Sequence, residues 1–220
     1  MSTMFYLGIV LALGVLGAIV EAAFKRPILA GFFKISATGI LLALIITTQI
    51  KVPTIGVSLI VCVICIWLGD FCLGLCGKIW KKDWITLAGT LLFLVGYGYL
   101  AYLLLPDFSS GGMVTITSVA VITILAIVGV IQYNSFDIPD IAMKIGVCVY
   151  TFIISFFFLS CTYTPSWQMI LAALSLYFSD SVIAQSKYGK MKNLSASLVE
   201  YLITVPYYLG LFLLFGFLLQ

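Results

Sequence analysis

Asp70 and Asp180 are carboxylates set inside long apolar runs, 110 positions apart in a chain of 220 residues. A charge in the apolar interior of a bilayer is costly, and such residues by default mark function. Two carboxyls in one site can divide acid and base work, one giving a proton while the other stabilises a cation or prepares water for attack. Asp70 lies eight residues before Lys78 and Asp180 seven before Lys187. At about 1.5 Å of helix rise per residue, each carboxyl sits roughly 10–12 Å inside a basic edge, at matching depth.

The other ionisable residues that fall in or at the ends of apolar runs are Glu21, Lys34, Lys144 and Glu200, all near the same edge. One inward-open cavity could collect them. Lys144, Cys148, Thr151 and Ser155 follow helical spacing and form a stripe suited to a partly wet interior, and Glu200, Thr204, Tyr207 and Tyr208 fall near one face of the last run. Plainer roles compete at each position. Lys34 and Lys144 can snorkel to the headgroups, Glu21 and Glu200 can be solvated at the interface, and the aspartates can be a structural pair with basic partners. Tyr97, Tyr99, Tyr102 and Tyr177 suit packing or an interfacial belt, while Gly69, Gly74, Gly89 and Gly96 allow helices to approach closely. Cys62, Cys65, Cys72, Cys148 and Cys161 sit in or at the ends of apolar runs, where cysteine acts as a small hydrophobe. The chain has no histidine and no second cysteine pair at zinc-ligand spacing, so neither metal nor cofactor is expected and histidine chemistry is excluded.

Composition dictates what must position these groups. The chain is 63% apolar or aromatic and 9% charged, against roughly 25% charged in ordinary soluble domains, and its mean hydropathy is +1.23. A spanning helix takes about 20 apolar residues. The runs at about 4–20, 28–50, 53–75, 84–105, 113–132, 140–160, 166–185 and 197–219 predict an all-α integral membrane protein, a bundle of about eight transmembrane helices in a single domain over 1–220. The first run is too long for a signal-peptide core and has no basic region ahead of it. A membrane barrel is disfavoured because the runs are continuously apolar, about twice strand length, and do not alternate.

The loops after spans 1, 3, 5 and 7, with the span ends beside them, hold Lys25, Arg26, Lys34, Lys78, Lys81, Lys82, Lys144, Lys187, Lys190 and Lys192, whereas the opposite side holds only Lys51. Ten against one predicts both termini on the non-cytoplasmic side of a plasma membrane, or of the inner membrane in a bacterium. The net charge of +3 is too small and dispersed for nucleic-acid binding. Leu68-Gly69-Asp70 with Gly77-Lys78 is echoed by Phe178-Ser179-Asp180 with Gly189-Lys190, which suggests a four-plus-four duplication in parallel orientation, or a chance alignment of two helix ends.

Several short motifs in order along the chain resemble the YhhN-type lysoplasmalogenase family. Leu68-Gly69-Asp70-Phe71-Cys72-Leu73 is followed by Ala88-Gly89, Leu92-Phe93-Leu94-Val95-Gly96 and Tyr102, the span 3/span 4 signature. Lys34 opens span 2, Tyr150 lies in span 6, Tyr177-Phe178-Ser179-Asp180-Ser181 looks like the second acidic motif, and Tyr207-Tyr208-Leu209-Gly210 resembles the last-span motif. Two positions depart from the pattern: Tyr97 stands where the family usually has histidine, and Leu211 where glutamine often follows the tyrosines. The resemblance implies hydrolysis of the vinyl-ether bond of a lysophospholipid, with Asp70 and Asp180 catalytic and Lys34, Tyr97, Tyr150, Tyr177, Glu200 and Tyr207 binding substrate. Vinyl-ether cleavage, like glycoside cleavage, passes through an oxocarbenium ion that two carboxyls can generate and stabilise. The alternative class is a proton-coupled transporter or lipid-binding membrane protein using the same acids. An intramembrane aspartyl protease is a third, but Trp67 occupies the first glycine position of a Gly-x-Gly-Asp motif.

Overall fold

The computed structural model describes residues 3–51, 57–80, 82–105, 123, 124, 126, 127, 129–131, 134, 136, 138, 141–164, 166–189 and 194–219. Within them the long elements are all helical: α1 (Thr3–Phe24), α2 (Pro27–Lys51), α3 (Val57–Asp70), a π-helical segment (Phe71–Cys76) running into the single turn α4 (Gly77–Trp80), α5 (Asp83–Leu104), α6 (Ile141–Thr162), α7 (Trp167–Tyr188) and α8 (Ala196–Leu218). The segment from Val57 to Trp80 counts as one span, so seven stretches among the described residues are long and apolar enough to cross a bilayer. They coincide with seven of the predicted runs. The eighth, 113–132, falls largely outside the described residues.

Packing neighbours close a circuit. α1 packs on α2, α2 on α3, α3 on α5, α5 on α6, α6 on α7, α7 on α8, and α8 returns to α1. Exposed Phe32, Trp84, Val95, Tyr102, Phe152 and Trp167 decorate the outside, as lipid requires, while Leu41, Ile66, Leu100, Phe157, Leu176 and Leu211 fill the inside. Helices pair most of their backbone polar groups internally, the condition for crossing hydrocarbon.

Local chemistry sets the joints. α1 ends in a left-handed cap, with Lys25 N–H donating to the Glu21 carbonyl (3.1 Å) and Arg26 N–H to that of Val20 (3.3 Å). Lys25 carries the left-handed backbone at φ 53°. Pro27 then opens α2, its fixed φ suited to a first helical residue. This tight reversal holds Glu21 and Lys34 on facing surfaces.

Two close approaches shape the interior. A Cβ on Gly14 of α1 would lie 2.1 Å from the Tyr208 ring, so only glycine admits that ring. A Cβ on Gly31 of α2 would lie 2.4 Å from the Gly74 carbonyl of the π segment. Gly74 itself, expected to open room for a neighbour, faces nothing within 4 Å of its own would-be Cβ. It is the Gly74 carbonyl, pushed out by the wider π turn, that docks on α2.

Candidate functional site

Each of the seven described spans sends at least one polar side chain inward. The buried polar and charged residues include Thr38, Asp70, Ser179, Asp180 and Thr204, and partly buried Glu21, Lys34 and Glu200 continue the set toward the basic end.

Asp70 is the last residue of α3, immediately before the π segment. Such π bulges interrupt regular helix hydrogen bonding and recur at functional sites. Tyr207 of α8 donates its hydroxyl to Asp70 Oδ2 at 3.2 Å. The hydroxyls of Thr38 and Tyr208 donate to the Lys34 carbonyl, at 3.3 and 3.0 Å, and stand beside the same carboxyl. Asp70 is therefore ringed by three hydroxyls from α2 and α8. The Tyr207 and Tyr208 rings meet edge to face at 4.9 Å, which fixes both phenols.

Asp180 lies in the interior of α7, where Ser179 beside it donates to the Ile203 carbonyl at 2.8 Å and pins α7 to α8. That contact falls next to Pro206, whose missing N–H interrupts the α8 ladder. Tyr150 of α6 reaches the Asp180 carboxyl. Asp180 Oδ2 finds no hydrogen-bond partner among the described residues.

Tyr97 of α5 lies in the neighbourhood of both acids. It is 1% exposed, within electrostatic reach of both Asp180 and Asp70, and its hydroxyl has no partner among the described residues. Its ring is held by Phe93, stacked at 6.0 Å, and by Phe157 at 5.3 Å. Phe93 also meets the Tyr207 ring edge to face at 6.0 Å. Leaving a buried hydroxyl unpaired costs about 1–3 kcal/mol, so Tyr97 is an expensive choice where phenylalanine would pack as well.

Toward the basic end, Lys34 bridges Glu21 of α1 at 3.1 Å and Glu200 of α8, and Lys78 of α4 pairs with the second oxygen of Glu21. Thr204 donates to Glu200 at 2.6 Å. These side chains are 13–24% exposed. Lys34, Glu21 and Glu200 are thus an interior ion network, which corrects the expectation that Lys34 snorkels and that the glutamates are solvated at the interface.

The structure brings Lys34, Asp70, Tyr97, Tyr150, Asp180, Glu200 and Tyr207 into one continuous interior. Tyr177 packs against the edge of the core, with Phe158 of α6 at a ring-centroid distance of 6.2 Å and Ser155 beside its hydroxyl. The span 6 stripe is also corrected. Cys148 is exposed, and the buried face of α6 is Ile154, Phe157, Ser160 and Cys161. Sequence reasoning missed Thr38, whose position one turn after Lys34 on the same helix face was the available signal. It also missed the π segment, which no residue pattern announces. The two halves differ at this point, since α7 runs unbroken through Asp180. Among the described residues no group of three or more His, Cys, Asp or Glu side chains converges as a metal site would require.

A closed ring of spanning helices around an acidic, hydroxyl-rich interior defines a multi-pass integral membrane protein with a buried polar centre. Residues 29–217, from the start of α2 almost to the end of α8, match the YhhN family, and the chain belongs to that family. Neither a curated protein nor a solved structure matches it.

Proposed function

We propose that this protein is a hydrolase that cleaves the vinyl-ether bond of lysoplasmalogens, releasing a fatty aldehyde and a glycerophospho head group. The observation that carries the reading is that two buried aspartates, Asp70 of α3 and Asp180 of α7, both lie within electrostatic reach of the buried Tyr97. Family membership supports it.

In the proposed reaction one carboxyl transfers its proton to the vinyl carbon distant from the ether oxygen. The oxygen lone pair then forms the oxocarbenium ion, which the second carboxylate stabilises. Water adds to the cationic carbon, and the hemiacetal collapses to aldehyde and alcohol. Lys34 and Glu200 lie on the basic side of Asp70 and suit a polar head group, while Tyr97, Tyr150 and Tyr207 surround the two acids.

Purified protein incubated with a vinyl-ether lysolipid should release aldehyde, and Asp70→Asn and Asp180→Asn should each slow turnover at least about 100-fold, the scale of lost acid–base catalysis. Asparagine keeps size and hydrogen bonding, so both variants should elute as folded protein. The double variant should be little slower than the slower single, since groups acting as a unit are not additive. Wild-type protein that binds the lysolipid and releases no aldehyde would replace this reading with a transport or binding role.

A further inference from the structure

Glu21, in the last turn of α1, is held by two cations through two different oxygens: Lys34 Nζ meets its Oε2 at 3.1 Å, and Lys78 Nζ meets its Oε1. A carboxylate bridging two ammonium groups occupies a position suited to any small anion that offers two oxygens. Lys34 does not depend on this partner, because Glu200 also pairs with it and is steadied by the Thr204 hydroxyl. Glu21 is therefore the releasable member of the network. With it withdrawn, Lys34 and Glu200 remain a pair and Lys78 needs another anion. The position is open to the outside, since Lys78 is 24% exposed, the most of the four side chains. Its depth suits a lipid head group: Trp80 beside Lys78, and Trp84 at the start of α5, are both exposed, and tryptophans of this kind mark the membrane–water interface.

Resting on the hydrolytic reading above for the identity of the lipid, we propose that Lys34 and Lys78 form the seat for the phosphate of the lysolipid head group, and that Glu21 fills this seat in the free protein and is displaced when the lipid binds. A phosphodiester carries one negative charge and two unbridged oxygens, as a carboxylate does, so the exchange keeps two lysines balanced by two anions. The released Glu21 turns toward water at the end of α1, where Lys25 and Arg26 are exposed. The distance to the acid agrees. Seven bonds separate the phosphorus from the vinyl carbon that takes the proton, roughly 8 Å at about 1.2 Å of extended chain per bond. Asp70 precedes Lys78 by eight residues, about 12 Å at the rise of a regular helix, and a helical side chain leans toward the helix N-terminus, here toward Asp70. Phosphate on Lys78 thus brings the vinyl ether up to the carboxyl.

The test is a binding measurement that needs no turnover. A saturated 1-alkyl lysophospholipid, which has no vinyl ether to cleave, and the matching 1-alkylglycerol, which has no phosphate, are titrated into wild-type protein, Lys78→Met and Glu21→Gln in micelles. Wild type should bind the lysophospholipid more tightly. Lys78→Met should weaken lysophospholipid binding at least about tenfold, the scale of one lost charge-assisted bond, and leave alkylglycerol binding unchanged. Glu21→Gln, by vacating the seat, should tighten lysophospholipid binding at least about threefold. The two lipids are compared on one sample, so a reduced yield of folded protein does not alter their ratio. Inorganic phosphate, which lacks the chain, should compete weakly; phosphate that binds more tightly than the lysophospholipid makes this a site for a free anion and overturns the head-group assignment. The seat is also overturned by equal affinity of wild type for the two lipids, by a Lys78→Met loss that is absent or common to both, or by Glu21→Gln that binds the lysophospholipid no better than wild type. The hydrolase reading fails separately: a vinyl-ether lysolipid that yields no aldehyde while these affinities hold leaves the seat standing in a lipid-binding protein.

Discussion

Replacing Lys34 with methionine isolates the energetic role of the ion network, because methionine keeps the length of the stem and removes the charge. Lys34 meets Glu21 at 3.1 Å and Glu200 more closely still, with all three side chains between 13% and 18% exposed. At 3.1 Å and an effective permittivity of about 20, one such pair attracts by about 5 kcal/mol. Much of that offsets the desolvation of the charges, and removing one member of a buried pair costs about 3–5 kcal/mol because the other is left uncompensated. Glu21 retains Lys78, whereas Glu200 keeps only the Thr204 hydroxyl among the contacts described. The expected loss for Lys34→Met is therefore at the low end, about 3 kcal/mol. Glu200→Gln leaves Lys34 with Glu21 and should cost about 1 kcal/mol. Combining the two changes removes the stranded carboxylate, so the double variant should be about 1–2 kcal/mol more stable than Lys34→Met alone. The measurement is reversible unfolding in mixed micelles across the four-member cycle. Strict additivity, with the double variant as unstable as the sum of the singles, would show that Lys34 and Glu200 do not interact and would refute the network.

Two further substitutions probe the scaffold. Gly14→Ala places a Cβ 2.1 Å from the Tyr208 ring, which is held by its bond to the Lys34 carbonyl and by Tyr207; overpacking of this kind should cost about 1–3 kcal/mol, read as earlier unfolding in the same micelles. Lys25→Gly should move the other way, gaining about 1 kcal/mol by relieving the left-handed backbone at φ 53°, and an unchanged or lowered midpoint would show that the lysine side chain contributes more than the strain it imposes.

Much of the scaffold was legible because hydrocarbon imposes length and apolarity on each span separately. The expected run at 84–105 and the observed α5, Asp83–Leu104, agree because charged or breaking residues bound the run on both sides. The acids at 70 and 180 were legible for the same reason, being rare in their surroundings. Pairings were not. Lys34 and Glu200 are 166 residues apart, and nothing in either local sequence specifies that α8 returns to α1 and α2. Glu21 and Glu200 sit near span ends, where solvation and ion pairing leave the same trace in sequence. The face of a helix was also ambiguous where polar residues were mild, which is why Cys148 was assigned inward and lies exposed. The π segment escaped because no residue type announces a wider turn; here it accompanies the close approach of the Gly74 carbonyl to Gly31.

The return of α8 to α1 has a consequence for how the molecule is made. Glu21 and Lys34 are 13 residues apart and can meet as soon as the first hairpin has inserted. Glu200, Thr204, Tyr207 and Tyr208 leave the ribosome last, yet they supply partners to Lys34 and Asp70 from the first half of the chain. Until they arrive, the early helices carry half-satisfied charges within the bilayer, and the acidic centre is incomplete. Completion of the acidic centre thus waits on α8, and a chain arrested before α8 leaves polar groups uncompensated in the bilayer.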